Sequence, residues 1–438
     1  MWTCSSVSPA GRRVGGTDPL RDGTGPDIDP GTISVSRPVL VWGTAGIGAL
    51  VLAVVVLAAQ IHGLDLRVYR EGALALLGRT DQNLYDDALV QTDTRGLPFT
   101  YPPFAAILFV PLALIPGWTA LALVTASSCL CLIGVAIVVV RYLDLHSMRR
   151  PVRDWHRPAA VLAAMLLIGV SGPWREGLGF GQVNALLMIL ILADLLRTVR
   201  AVPSGILIGV AAGIKLTPLA FGLVFLARRD WRSLAWLGAS FACTIAVGWV
   251  LAPRESTLFW LDALFDPSRV GSTADLYNVS LNSIVAQSGL AGSLQRPVWV
   301  LASLAVVVVG YLAIRRADHD GDVLRAVSAN AIVMLAISPI SWFHHWVWIA
   351  LLFPVGYVFA LGGERRRRIL TWVLLGLLVP VLMFSSITVT LTLTGVVSGE
   401  GPWPLRLFTA LGVLLPVALL VLWAGRPVRR TSDLPVRG

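Results

Sequence analysis

The sequence predicts an all-α polytopic membrane protein with about twelve transmembrane helices, on three observations. Long apolar runs recur along almost the whole of its 438 residues. Charged residues make up only 14% of the chain, against about 25% in a soluble globular protein. The arginines gather in alternate short connections, which is the asymmetry of a multi-pass membrane chain and not the basic face of a nucleic-acid binder. The net charge of +10 therefore does not indicate a nucleic-acid partner.

Residues 1–37 hold Gly, Pro, Ser and Asp without an apolar run, and are expected to form a disordered cytoplasmic tail. The run from Val39 to Ile61 is long enough to span and has no small-residue cleavage site after it, so it reads as a retained first span and not a signal peptide. Further spans are expected at 118–141, 158–173, 183–197, 233–252, 298–315, 324–340, 345–361, 369–388 and 405–424. Segment 203–227 is apolar but broken at Ile214-Lys215-Leu216-Thr217-Pro218. Arg197 and Arg200 precede it; Arg228, Arg229 and Arg232 follow it. Both ends then face the same side, so it reads as a short broken hairpin. Irregular backbone at that depth has to be buried in protein or line a cavity. Segment 103–117 is bracketed by prolines and too short to cross; it reads as a half-embedded element on the outer side.

Ten spans plus the hairpin return the C-terminus to the side of the N-terminus. About 25 arginines fall on one set of connections and about 9 on the other, which places both termini in the cytoplasm of a plasma (inner) membrane. Residues 38–425 form one transmembrane domain in this reading, and 426–438 a basic cytoplasmic tail. The outer side carries two long loops, 62–102 and 253–297. Within the first, 65–78 places Leu66, Tyr69, Ala73, Leu76 and Leu77 on one helical face, as an amphipathic helix on the membrane surface would. A similar stretch surrounds Phe259–Phe265. Two such loops on one side suggest that the chemistry happens there, at the periplasmic surface. No internal repeat of the transporter kind is present.

Cys129, Cys131 and Cys243 lie in apolar runs and Cys4 in the tail, which is no disulfide framework, and no zinc spacing occurs. No Walker A, HExxH or GxSxG pattern occurs either, and nothing points to a nucleotide taken from the cytoplasm. Lys215 is the only lysine in a chain whose other basic residues are all arginine. A lone lysine at an intramembrane helix break suits a phosphate or another anion, with a snorkelling side chain as the structural alternative. Asp65 stands just past the first span, near the outer headgroup level. It suits a general base that meets both a lipid-linked phosphate and a soluble substrate; the alternative is an acid favoured at a helix start by the dipole. His344 and His345, within Ser338–Trp348, suit a phosphate donor, a nucleotide or a metal; the alternative is an interfacial aromatic belt with Trp342, Phe343, Trp346 and Trp348. Adjacent helical residues point about 100° apart, so one histidine is expected to face a given cavity. Trp174-Arg175-Glu176 and Gly181-Gln182-Val183-Asn184 are expected in a short outer loop. There Arg175 could bind phosphate, and Gln182 and Asn184 sugar hydroxyls, as could Asn278, Ser280 and Asn282; loop capping is the alternative.

The order of several short motifs resembles the actinobacterial membrane glycosyltransferases of family GT87, in the GT-C superfamily. They are Asp65-Leu66-Arg67-Val68-Tyr69, Leu97-Pro98-Phe99-Thr100-Tyr101-Pro102-Pro103-Phe104, Gly181-Gln182-Val183-Asn184, Ile214-Lys215-Leu216-Thr217-Pro218, Asn278-Val279-Ser280-Leu281-Asn282 and Ser338-Pro339-Ile340-Ser341-Trp342. Within the family the chain looks most like mycobacterial polyprenyl-phosphate-mannose-dependent α-(1→2)-mannosyltransferases that extend phosphatidylinositol mannosides. The resemblance implies a GT-C fold, a polyprenyl-phosphate-mannose donor, and a mannosylated glycolipid acceptor such as a phosphatidylinositol mannoside or lipomannan. It implies Asp65 as the catalytic base and the histidine pair near the donor phosphate; Lys215 and Arg175 could stabilise the charge that the departing phosphate gains, and Arg67, Tyr69 and Tyr101 are expected among the substrate-binding residues. No metal or other cofactor is expected, because side chains alone can stabilise the departing phosphate. An arabinofuranosyltransferase using polyprenyl-phosphate-arabinose would share these parts. A lipid flippase or secondary transporter is the alternative from another class.

Overall fold

The computed structural model describes residues 37–92, 96–146, 156–266, 269–384 and 403–425. The expected tails, apart from Arg37, lie outside them. The chain divides into two units, Met1–Gly43 and Thr44–Gly438. Only the start of a helix is described in the first; everything below belongs to the second.

The elements are α-helical with one minute hairpin. In chain order they are α1 (Arg37–Ala59), α2 (Leu64–Leu76), β1 (Val90–Gln91), β2 (Gly96–Leu97), α3 (Pro103–Ala113), α4 (Gly117–His146), α5 (Arg157–Gly169), α6 (Gly172–Phe180), α7 (Asn184–Leu195), α8 (Ile206–Ile214), α9 (Gly222–Arg228), α10 (Trp231–Leu251), α11 (Pro253–Leu261), α12 (Leu281–Ala286), α13 (Gly292–His319), α14 (Val323–Ile337), α15 (Ile349–Leu361), α16 (Arg365–Met383) and α17 (Trp403–Ala424). Tight 3-10 turns occupy Thr217–Phe221, Ala263–Phe265 and Phe343–Trp348. Among the described residues, five helices are long and apolar enough to cross a membrane, and seven spans result if two bent pairs each count as one. This is an all-α membrane protein. Several expected spans are short helices: α7 and α14, with 12 and 15 residues, reach only ~18 and ~22 Å at 1.5 Å per residue, less than the ~30 Å of hydrocarbon.

The expected outer loop at Trp174 is a correction. It is the helix α6, bent 74° from α5. Its glycines disfavour a helix on propensity, yet they let it pack closely. A Cβ on Gly179 would meet the Ala59 carbonyl oxygen at 2.4 Å. Instead the Gly179 carbonyl accepts the backbone N–H groups of His62 and Gly63, at 3.0 and 2.9 Å. The corner between α1 and α2 is thereby fixed to the end of α6. That corner turns by 78° and leaves Asp65 in the first turn of α2.

The face of α2 is buried against protein. Leu66, Val68, Tyr69 and Ala73 are buried, and the Phe99 ring lies where a Cβ of Gly72 would sit. Leu77, expected on the same face, is exposed. The surface-helix expectation therefore holds for the helix and not for its apolar face, because α3 and Phe99 cover that face. Arg269, from the second outer segment, binds Asp87 at 2.7 Å and the Tyr85 carbonyl at 2.6 Å, tying the two outer segments together.

The expected break in 203–227 is present. α8 ends at Ile214 and Lys215 is extended, with φ −147° and ψ 128°. Two contacts fix α8. The buried Asp194 carboxylate accepts from Gly205 N at 2.7 Å and Ile208 N at 3.1 Å, capping its orphan N–H groups. Along its length Gly205, Gly209 and Gly213 recur every fourth residue against α10. A Cβ on Gly209 would meet Ser240 Oγ at 1.9 Å and the Leu237 carbonyl at 2.5 Å. Between helices in lipid the drive is close packing and not water exclusion, so small residues at this spacing set the approach. They also set where Lys215 emerges, two residues past Gly213.

α14 is the central helix: every residue from Leu324 to Ala336 is buried. At its start Asp322 accepts from Tyr142 Oη at 3.0 Å, and Arg325 binds Asp320 at 2.6 Å. At its other end the chain runs into Ser338–Trp348 and the histidine pair.

Candidate active site

One polar chain crosses the interior where α2, α6, α7, the Lys215 break and the 3-10 turn after α14 converge. It begins at Asp65, whose Oδ2 accepts from Gln182 Nε2. The same nitrogen lies 3.4 Å from His344 Nε2. Tyr69 Oη donates to Gln182 Oε1 at 2.9 Å, and Tyr101 Oη lies 3.0 Å from Tyr69 Oη. Asn184, the first residue of α7, donates to the His344 carbonyl at 3.3 Å and accepts from Lys215 Nζ at 3.0 Å. Lys215 Nζ lies 3.1 Å from His345 Nε2 and 5.5 Å from the centre of the Tyr101 ring. A half-buried lysine is thus held by an amide oxygen, an imidazole nitrogen and an aromatic face.

Burial, then Tyr101 and Asp65, push the Tyr69 phenol well above its ordinary pKa. Burial, then Asp65, does the same to Tyr101. Both phenols therefore remain neutral donors beside the carboxylate.

The two histidine rings meet edge to face, 4.8 Å apart with 88° between their planes, and serve different neighbours. His345 lines a small pocket together with Lys215, Asn184, Thr217, Ser338 and Ser341. The rest of that cavity is apolar, with Leu187, Ile191, Met334 and Leu335 on its wall. A cationic end and an apolar body suit an anionic headgroup on a hydrocarbon tail. His344 turns the other way, toward Gln182 and Asp65.

Other candidates lie apart from this chain. Arg175 donates to the Met383 carbonyl at 3.3 Å, while neighbouring Trp174 donates to the Val347 carbonyl at 2.8 Å. Asn278 is fully buried; its amide donates to the Thr273 and Pro339 carbonyls and accepts from Ser341 N. It braces the approach to the histidines, as a loop-capping side chain does. Ser280 caps α12 by accepting from Ser283 N at 3.2 Å. Asn282 donates to the Pro339 carbonyl, at 3.2 Å. Arg67 is exposed on α2, two residues from Asp65. Among the described residues no cluster of three metal-ligating side chains occurs. The glycine stripe and the Asp194 cap escape a search for chemistry, although the four-residue spacing of the glycines is visible in the sequence.

A multi-pass helical protein with one carboxylate and one ammonium on a shared polar chain, above an apolar cavity, has the parts of a membrane enzyme acting on lipid-linked anions. Comparison with known proteins makes this specific. The profile of glycosyltransferase family 87 matches residues 99–339, which include Gln182, Asn184 and Lys215 and stop short of Asp65 and the histidines. A polyprenol-phosphate-mannose-dependent alpha-(1-2)-phosphatidylinositol mannoside mannosyltransferase of Mycobacterium tuberculosis is 33% identical over 337 residues, covering 75% of this chain and 78% of that protein. A protein of the same description from Mycolicibacterium smegmatis is 34% identical, over 70% of this chain and 72% of its own. A phosphatidylinositol pentamannoside mannosyltransferase of M. smegmatis is 35% identical over the same shares. The chain belongs to glycosyltransferase family 87 and is a hexosyltransferase.

Proposed function

We propose that this chain is an inverting mannosyltransferase of the GT-C fold. It moves mannose from polyprenyl-phosphate-mannose to a mannosylated lipid of the phosphatidylinositol mannoside or lipomannan kind, in an α-(1→2) linkage. The observation that carries the reading is the single polar chain from Asp65 to Lys215. It offers a base at one end and a phosphate-compensating cation at the other. The named relatives supply the donor and acceptor classes.

The chemistry balances with these parts. An acceptor hydroxyl oxygen attacks the anomeric carbon of mannose as the carbon–oxygen bond to phosphate breaks. The hydroxyl proton goes to the Asp65 carboxylate. The bond's electron pair leaves on the polyprenyl phosphate, whose added negative charge faces Lys215 and His345. A β-linked donor giving an α-linked product inverts the anomeric centre, so a single displacement suffices and no enzyme nucleophile is required. Arg67, beside the base, is a candidate contact for substrate hydroxyls. Arg175 serves the phosphate only if its contact with Met383 is exchanged.

Purified protein given polyprenyl-phosphate-mannose and a phosphatidylinositol mannoside should release polyprenyl phosphate and form a lipid with one more α-(1→2)-linked mannose. Transfer from polyprenyl-phosphate-arabinose alone would move the enzyme to the arabinofuranosyl class. Lipid movement without transfer would make it a flippase.

The reading also sets sidedness. Asp65, Tyr69 and Tyr101 belong to segment 62–102, and Asn278 of segment 253–297 pairs with Trp342 beside the histidines; the arginine bias puts these segments outside, with both termini in the cytoplasm. In a cysteine-free background, an impermeant thiol reagent on intact cells should label Asp81→Cys, an exposed outer-loop position, and spare Arg366→Cys until lysis. The reverse pattern would invert the topology.

A further inference from the structure

Gln182 was expected to bind a sugar hydroxyl. Its surroundings give it other work. It is buried, and its amide has three neighbours that leave no freedom of orientation. A carboxylate only accepts, so the amide NH2 has to face Asp65 and the carbonyl oxygen has to face Tyr69. The Tyr69 hydroxyl proton is committed to that oxygen, and the second phenol, Tyr101, backs it up at 3.0 Å. With the NH2 so fixed, the His344 nitrogen facing it at 3.4 Å has to accept. The His344 proton then resides on Nδ1, which is buried without a hydrogen-bond partner.

We propose that Gln182 is a positioning residue for glycosyl transfer: its amide, locked by Tyr69, aims the Asp65 carboxylate and fixes His344 as the Nδ1–H tautomer. The assignment rests on Asp65 being the base. Gln182 touches no reacting atom and acts through Asp65. A carboxylate at the start of a helix can rotate about its side-chain bonds; one held by an NH2 that is itself held by a phenol cannot rotate freely. The base is thus aligned before substrate arrives, and the cost of ordering it is not charged to the transition state.

Two substitutions separate this role from a sugar contact. Gln182→Leu keeps the bulk and removes both halves of the amide. It should lower kcat by about 10- to 100-fold with the donor and acceptor KM within about twofold, because a misaimed base weakens only the chemical step. Gln182→Glu is the sharper variant. Protonated, the new acid can still donate to Asp65; ionised, it repels it. The two carboxyls then share one proton, and the second ionisation is raised by the charge already present. Activity should be highest in mildly acid solution and fall by about tenfold or more as the pH rises from about 5 to 8, over which the wild type does not fall.

The other titratable groups around Asp65 are His62 at the corner before its helix, Tyr69, Arg70 and Glu71 on that helix (Arg70 turned to the Leu112 and Ile115 carbonyls), Tyr101 before α3, Lys215 at the break, and His344 and His345 on the 3-10 turn. Exposed Arg67 lies two residues along α2; on α6, which packs against α2, Glu176 follows Arg175, whose guanidinium turns to Met383. All are common to wild type and variant, so the new descending limb belongs to position 182. Both variants are assayed beside Asp65→Asn. If Asp65→Asn transfers normally, the base assignment itself fails. If Asp65→Asn is inactive and Gln182→Leu raises KM at unchanged kcat, Gln182 is a sugar contact and the proposal is overturned. A Gln182→Glu profile parallel to the wild type overturns it equally. Should Gln182→Leu not fold, the near-isosteric glutamate variant decides alone.

Discussion

Asp65→Asn should lower turnover by about 10²- to 10⁴-fold, equivalent to ~3–5 kcal/mol of barrier, in a protein that still folds and still binds both substrates. The substitution keeps the shape of the side chain. The new amide can present its oxygen to Gln182 Nε2 as the carboxylate does, so the contact that places residue 65 survives. What is lost is the ability to take a proton. The corner that carries the residue does not depend on its charge: it is held by the two backbone bonds from His62 and Gly63 to Gly179 and by burial of Leu66, Val68 and Tyr69. In the proposed reading the phosphate end of the donor meets Lys215 and His345, at the other end of the polar chain. Binding of labelled donor to the purified variant should therefore be near normal while product formation collapses. A variant that turns over at near the wild-type rate would remove Asp65 as the base, and the search would pass to Glu71, Glu176 and Asp275.

The parts of this site were legible in the sequence one at a time, and their connection was not. Asp65 is visible as an acid just past a long apolar run. Lys215 is visible as the only lysine, at a Pro-containing break. The histidine pair is visible among tryptophans. Gln182 and Asn184 are visible only as polar residues after a glycine. Their meaning lies in partners 117 and 31 residues away, and no local pattern encodes that pairing. The helix α6 was hidden for a related reason. Its glycines and its Trp-Arg-Glu segment read as a loop, and it becomes helical because tertiary contacts at Gly179 and Trp174 favour close approach over local propensity. The strongly apolar helices were easier, since apolar length alone defines them. Their number was harder. α7 and α14 carry the hydrophobicity of spans at less than the length of one, as helices buried among other helices can.

Lys215→Met should separate stability from binding. In the folded protein the Lys215 ammonium is partly withdrawn from water and is compensated by Asn184 Oδ1, His345 Nε2 and the Tyr101 ring. An apolar side chain of similar length removes the desolvation cost of the charge but leaves Asn184 Oδ1 and His345 Nε2 without their donor, and the two changes oppose each other. The melting temperature of Lys215→Met should therefore change little. Donor binding should fall. A charge-assisted hydrogen bond to a phosphate in a water-poor cavity contributes about 1.5–3 kcal/mol, so the affinity for polyprenyl-phosphate-mannose should fall by roughly 10- to 150-fold. The acceptor, whose reacting hydroxyl is proposed to meet Asp65, should bind as before. The apolar wall of the cavity at Leu187, Ile191, Met334 and Leu335 remains in the variant, so whatever affinity the hydrocarbon tail contributes is retained. The loss should then be the same for polyprenyl phosphate as for the full donor, since both present the phosphate, and should vanish for the polyprenol without it. A Lys215→Met protein with unchanged affinity for both phosphates would mean that the ammonium only fills the helix break. Equal losses for polyprenol and polyprenyl phosphate would mean that the cavity itself had collapsed.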